Sequence, residues 1–160
     1  MIDHVLRYTL PAAYSLLPEP MDSPAASALL LAIGLQESEF LARRQQHGPA
    51  RGFWQFERAG VIGVVTHPRS APHVEHVFRY LRYGETVGNV SLLHPLLEHQ
   101  DTIAACFARL LLWTLVEPLP RQDEPERGWA QYLAAWRPGT PRPVEWSANF
   151  QEAWERVSTP

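Results

Sequence analysis

The sequence predicts an all-α domain, or an α domain with at most a very short β hairpin, on three observations. Segments with apolar residues at helical spacing recur along the chain. The 15 prolines and 9 glycines fall mostly between those segments, as punctuation rather than as one flexible linker. Only one stretch, Val61-Ile62-Gly63-Val64-Val65, carries the β-branched run that favours a strand. A chain of 160 residues fits a single domain, residues 1–160, and a domain of that size buries roughly 70% of its unfolded surface, enough for a core without staples.

The elements follow in order. A first helix is expected over about residues 2–16, bent at Pro11 and stopped by Leu17-Pro18-Glu19-Pro20, where each proline removes a backbone donor. Ser23 followed by Pro24 starts the second helix, because serine caps an orphan N–H and proline fits the first helical position. That helix is expected to run to about Gln45. Gln46 to Gly52 is turn-like, and Phe53 to Thr66 is ambiguous, with intrinsic preference favouring a short strand or hairpin. Beyond Pro68, helical patterns occupy about residues 71–83, 90–98, 100–116, 124–136 and 144–156, separated by Gly84, Gly88, Pro118–Pro120 and Pro138–Pro143. Thr102 to Val116 is apolar on most faces, as a central core helix is.

Composition excludes several classes. No apolar run approaches the ~18 residues that span a bilayer, so no membrane insertion is expected. Met1-Ile2-Asp3-His4 opens without a basic n-region or an apolar h-region, so no export signal is expected. The net charge is −3, all 14 basic residues are arginine, and no basic run exceeds Arg43-Arg44; this argues against nucleic acid as a partner, since non-specific binding rests on clustered phosphate contacts. Cys106, the single cysteine, sits among Ile103, Ala104, Phe107 and Leu110 and reads as a buried hydrophobe. His73 and His76 are a weak metal signal without further ligands, and no metal or cofactor is expected. Trp129, Trp136, Trp146 and Trp154 read as helix-packing residues.

One residue stands out chemically. On the second helix Ala26, Leu29, Leu30, Ile33, Phe40 and Leu41 share a stripe, Glu37 lies inside it, and Glu39 points away. A carboxyl on an apolar face loses solvation of its charged form, so its pKa rises and it can hold a proton near neutrality, as a general acid must. The alternative is a core ion pair with Arg44 or Arg51, and periodicity alone does not choose between them.

Gln36-Glu37-Ser38-Glu39-Phe40, followed by Gly48-Pro49-Ala50-Arg51-Gly52-Phe53-Trp54-Gln55-Phe56, resembles the paired motifs of lytic transglycosylases and goose-type lysozymes: Glu-Ser-x-Phe near a helix end, then Gly-Ala-x-Gly-Leu-Met-Gln after a short loop. The resemblance covers about residues 29–57 and implies a lysozyme-like helical domain acting on peptidoglycan glycan strands, with Glu37 as catalytic acid and Gln55 as sugar contact. A third element, Ala-Tyr-Asn-Ala-Gly in that family, has a partial echo in Gln131-Tyr132-Leu133-Ala134-Ala135-Trp136, which lacks the asparagine and makes Tyr132 the partner of Glu37. Ser38, Phe53, Trp54, Gln55 and Tyr132 form the expected substrate-binding set. Independently of the resemblance, Gly48 and Gly52 allow close backbone approach to a ligand, Phe53 and Trp54 offer flat faces for sugars, and Gln55 can donate and accept bonds; loop anchoring is the alternative for Phe53, Trp54 and Phe56.

Glycoside hydrolysis generally uses two carboxyl groups, about 5 Å apart for retention or roughly 6.5–9.5 Å for inversion. Glu57, Asp101 and Glu85 are the candidates for a second, and spacing selects none of them. The resemblance therefore implies the route needing one glutamate, in which Glu37 protonates the MurNAc-GlcNAc bond and then deprotonates the muramoyl 6-hydroxyl to close a 1,6-anhydro ring. It also suggests a phage setting, either an endolysin released through a holin or a wall-opening virion protein. The competing expectation is a catalytically inactive peptidoglycan-binding or virion structural module.

Overall fold

Pro11 has no N–H to return to the carbonyl four residues back, and the first helix widens just before it. In the computed structural model, which describes residues 1–83, 86 and 88–159, α1 (residues 2–14) begins as α-helix at Ile2–His4 and passes through a π-helical Val5–Thr9. There the Leu10 N–H reaches the Val5 carbonyl, and the chain resumes α-helix at Leu10–Tyr14. A single 3₁₀ turn, Glu19–Met21, follows.

The cap read from Ser23-Pro24 is present: Ser23 Oγ accepts from Ala26 N–H at 3.1 Å and opens α2 (Pro24–Ser38). Every residue from Ala26 to Gln36 is buried, so α2 is enclosed on all sides rather than along one stripe. It also stops a full seven residues before Gln45. Glu39 and Phe40 both take left-handed backbone, φ 52° and 55°, and the Phe40 ring folds back over Gly34, where any Cβ would collide with it. Burying Phe40 edge-on against Phe53 and Trp54, ring centres 5.4 and 6.0 Å away, offsets the roughly 1–3 kcal/mol that each strained residue costs. Leu41, assigned to the apolar stripe, is instead 79% exposed.

The Val61–Val65 run forms no strand. It lies in α3 (Arg58–Thr66), with Val61 and Val64, three apart on one face, buried and Ile62 exposed; burial of that face overrides β-preference. The remaining helices are α4 (Ala71–Tyr80), α5 (Val90–His99), α6 (Asp101–Trp113), α7 (Pro125–Trp136) and α8 (Pro143–Ser158). Among the described residues there is no strand, only isolated bridges pairing Arg44 with Arg51 and Arg51 with Phe56. The fold is all-α.

Two enclosed helices carry the core. α6 is buried from Ile103 to Leu112, as its sequence indicates, and contacts α1, α2, α3, α5 and α7. α2 packs along α8. Cys106 lies fully buried between α6 and α1, its thiol pointing at the Ala13 carbonyl, and burial pushes its pKa up to about 12. No described helix is long and apolar enough to cross a membrane.

Candidate active site

The last turn of α2 delivers Glu37, and three further elements meet there. The Tyr132 hydroxyl of α7 donates to Glu37 Oε1 at 2.6 Å, joining residues 95 positions apart. The Tyr132 ring is fixed by stacking on Trp146 of α8, centres 5.4 Å apart and planes 13° apart, and by Trp129 and Trp136 at 5.2 and 6.3 Å. Trp129, Trp136 and Trp146 therefore pack helices and, in doing so, aim the phenol that touches Glu37.

Gln36, 2% exposed, locks this turn to the start of α8. Its Nε2 donates to the Arg142 carbonyl at 2.9 Å, its Oε1 accepts from Asn149 Nδ2 at 2.9 Å, and its own carbonyl accepts from the Arg142 guanidinium. Arg142 thereby sits beside Glu37 while also pairing with Glu145 at 3.2 Å. Neither Gln36, Asn149 nor Arg142 was visible as a site residue in the sequence. Arg142 falls in the proline-rich stretch that reads only as a separator.

Burial raises the Glu37 pKa above the ordinary glutamate range, and the negative charge of Glu57 pushes the same way; the Tyr132 hydrogen bond and the Arg142 charge oppose it. The Tyr132 phenol is itself driven upward by burial and by the adjacent carboxylate, so it stays a donor. The ion-pair alternative for Glu37 does not hold. Arg44 and Arg51 both bind Glu98, at 2.9 and 3.2 Å, and Glu37 makes no ion pair among the described residues. A half-buried carboxyl with a hydroxyl donor and no bound cation is equipped to carry a proton.

The loop after α2 corrects several expectations. Phe53 and Trp54 are 1% and 0% exposed and present no face to a sugar. Trp54 Nε1 donates to the Leu30 carbonyl at 2.8 Å, and its own carbonyl accepts from Trp136 Nε1 at 2.8 Å. These two aromatics anchor the loop between α2 and α7. Ser38 Oγ donates to the Phe53 carbonyl at 2.7 Å and accepts from Phe40 N–H at 3.2 Å, so it ties helix end to loop rather than reaching for a ligand. Gly52, φ 75°, meets the protein's own backbone: a Cβ there would stand 2.5 Å from the Leu97 carbonyl oxygen. Gln55 is part-exposed with left-handed backbone, φ 47°, and its Nε2 donates to the Gly52 carbonyl at 2.8 Å. Its carboxamide oxygen accepts no bond from a described residue, which leaves it the one loop side chain of the expected set with free capacity.

Of the three candidate second carboxylates, Asp101 is held by Arg43 through bonds of 2.8 and 2.6 Å, and Glu85 lies outside the described residues. Glu57, exposed at the start of α3, is the one whose charge bears on Glu37. His73 and His76 gather no third ligand, since no group of three or more His, Cys, Asp or Glu forms among the described residues. Comparison with known proteins adds no relative: no family model matches this sequence, and neither does any curated protein or solved structure.

Proposed function

We propose that this protein cleaves the MurNAc-GlcNAc bond of peptidoglycan, with Glu37 as general acid and then base, by lytic transglycosylation that leaves 1,6-anhydro-MurNAc ends. The observation that carries this reading is the Tyr132–Glu37 hydrogen bond on a carboxyl whose pKa burial has raised. It joins the first motif to the third, the weakest of the three by sequence. A protonated Glu37 donates to the glycosidic oxygen as the bond breaks. The resulting carboxylate, steadied by the Tyr132 hydroxyl and the nearby Arg142 charge, then takes the proton of the 6-hydroxyl as that oxygen closes on the anomeric carbon. The substrate acetamido group supports the developing positive charge, so no protein nucleophile is required. Gln55 is the side chain with capacity to bond a sugar hydroxyl or acetamido group.

Incubation of wild type and Glu37→Gln with peptidoglycan sacculi, followed by mass spectrometry of the soluble muropeptides, tests this. Anhydro-muropeptides that disappear in the variant are the expected result. Reducing-end products lost in the variant would instead mean hydrolysis, with Glu57 as the carboxylate to examine. Sacculi that bind the wild type and release nothing would replace the enzyme with a wall-binding module.

A further inference from the structure

Two guanidinium groups share one indole at the end of the domain away from Glu37. Arg109 lies 5.2 Å and Arg69 5.4 Å from the centre of the Trp113 ring. Neither makes an ion pair among the described residues. Arg69 is exposed and gives one bond to the Leu115 carbonyl at 3.3 Å. Arg109 is 2% exposed, and its single bond runs from Nε to the Met21 carbonyl at 2.8 Å. Its two terminal nitrogens bond to no described group.

Both arginines line a cavity of about 350 Å³ together with Ser23, Trp113 and the apolar Leu112, Leu115 and Pro118, with Glu117 also contributing. A buried cation with no ion-pair partner among the described residues is costly, and an anion entering the cavity relieves that cost. Two planar guanidinium forks suit a carboxylate or a phosphate. The apolar lining and the Glu117 carboxylate select a singly charged group attached to small apolar chain over a phosphate, which carries roughly −1.5 to −2. The volume falls in the range of small-ligand sites, roughly 300–1,000 Å³.

We propose that this cavity binds the C-terminal carboxylate of a short peptide, as a site separate from Glu37. Ser23 caps the start of α2 and Glu37 lies in its last turn, so the helix alone puts about 20 Å between them. Burial lowers the Arg109 pKa to about 10, which leaves it charged at neutral pH and short of solvation.

Titration of the full chain with N-acetyl-D-alanyl-D-alanine and with N-acetyl-L-alanyl-L-alanine, followed by NMR of the Trp113 indole and the arginine side chains, tests the site, with the C-terminal amides of both as controls. The acids should give saturable shifts at Trp113 and Arg109, and the amides should give none. Arg69→Gln, at an exposed position, should weaken binding by about tenfold, and Glu117→Gln should tighten it. A preference for the D peptide identifies a wall stem peptide as the source, and a preference for the L peptide identifies a protein C-terminus; either supports the site. Equal response to acid and amide, no saturable shift, or full affinity in Arg69→Gln overturns it. Binding is read without turnover, so a failure here is distinct from a failure of Glu37 to cleave glycan.

Discussion

Replacing Tyr132 by phenylalanine removes a single oxygen from the candidate site and leaves the ring stacked on Trp146. A hydrogen bond to a charged acceptor is worth about 1.5–3 kcal/mol and one between neutral groups about 0.5–1.5 kcal/mol. The ionised form of Glu37 therefore gains about 1–1.5 kcal/mol more from the phenol than the protonated form does. At about 1.4 kcal/mol per pKa unit, losing that bond should lift the already raised Glu37 pKa by about one more. Carbon-13 NMR of glutamate carboxyls across a pH titration reads this directly, with Glu37→Gln assigning the signal. The pH profile of muropeptide release should move the same way: the limb on which activity falls with rising pH shifts to higher pH by a similar amount, while the maximum rate drops because the carboxylate has lost support in the base step. An unchanged or lowered Glu37 pKa in Tyr132→Phe would refute the account of the site given above.

Three other outcomes are expected. Glu37→Gln should match wild-type stability in acid and exceed it at higher pH: a folded pKa raised above the unfolded value gives stability that is complete below the unfolded pKa and is lost as pH climbs through the folded one. Thermal melts from pH 3 to 9 check the sign, and a variant less stable than wild type at neutral pH would contradict it. Gly52→Ala forces a Cβ to 2.5 Å from the Leu97 oxygen at φ 75° and should cost about 2–3 kcal/mol, lowering Tm by about 4–12 °C in a chain of this size; a melt within a degree of wild type would mean the loop is not fastened to α5 there. Gln36→Leu strands the Arg142 carbonyl and the Asn149 amide and should cost about 1–3 kcal/mol, with muropeptide release falling further than the loss of folded protein accounts for.

What could be read from the sequence was whatever is written locally. The cap at Ser23 with Pro24 behind it, and the apolar character of most faces of α6, each act within a turn or two of themselves, and the structure places them where they were expected. The end of α2 was not legible, because no glycine or proline occurs between Ser38 and Gly48; the helix is stopped by Phe40 docking onto Gly34, six residues back, and packing against Phe53 and Trp54. α3 is ambiguous in the sequence because five residues of β-like composition say nothing about which neighbours bury Val61 and Val64. At the site, Glu37 and Tyr132 were named and the structure joins them. Phe53 and Trp54 carry the aromatic surface that a sugar wants, but spacing cannot reveal that the protein has already covered it.

Cys106 gives the chain a built-in clock. Its thiol is the single one in the sequence, it is buried between α1 and α6, and its high pKa keeps it from forming thiolate. A thiol reagent can therefore label this protein only at the rate at which those two helices part. Mass spectrometry of labelled against unlabelled chain would time that opening without an engineered probe, and a reporter cysteine placed on the surface would react long before Cys106 interferes.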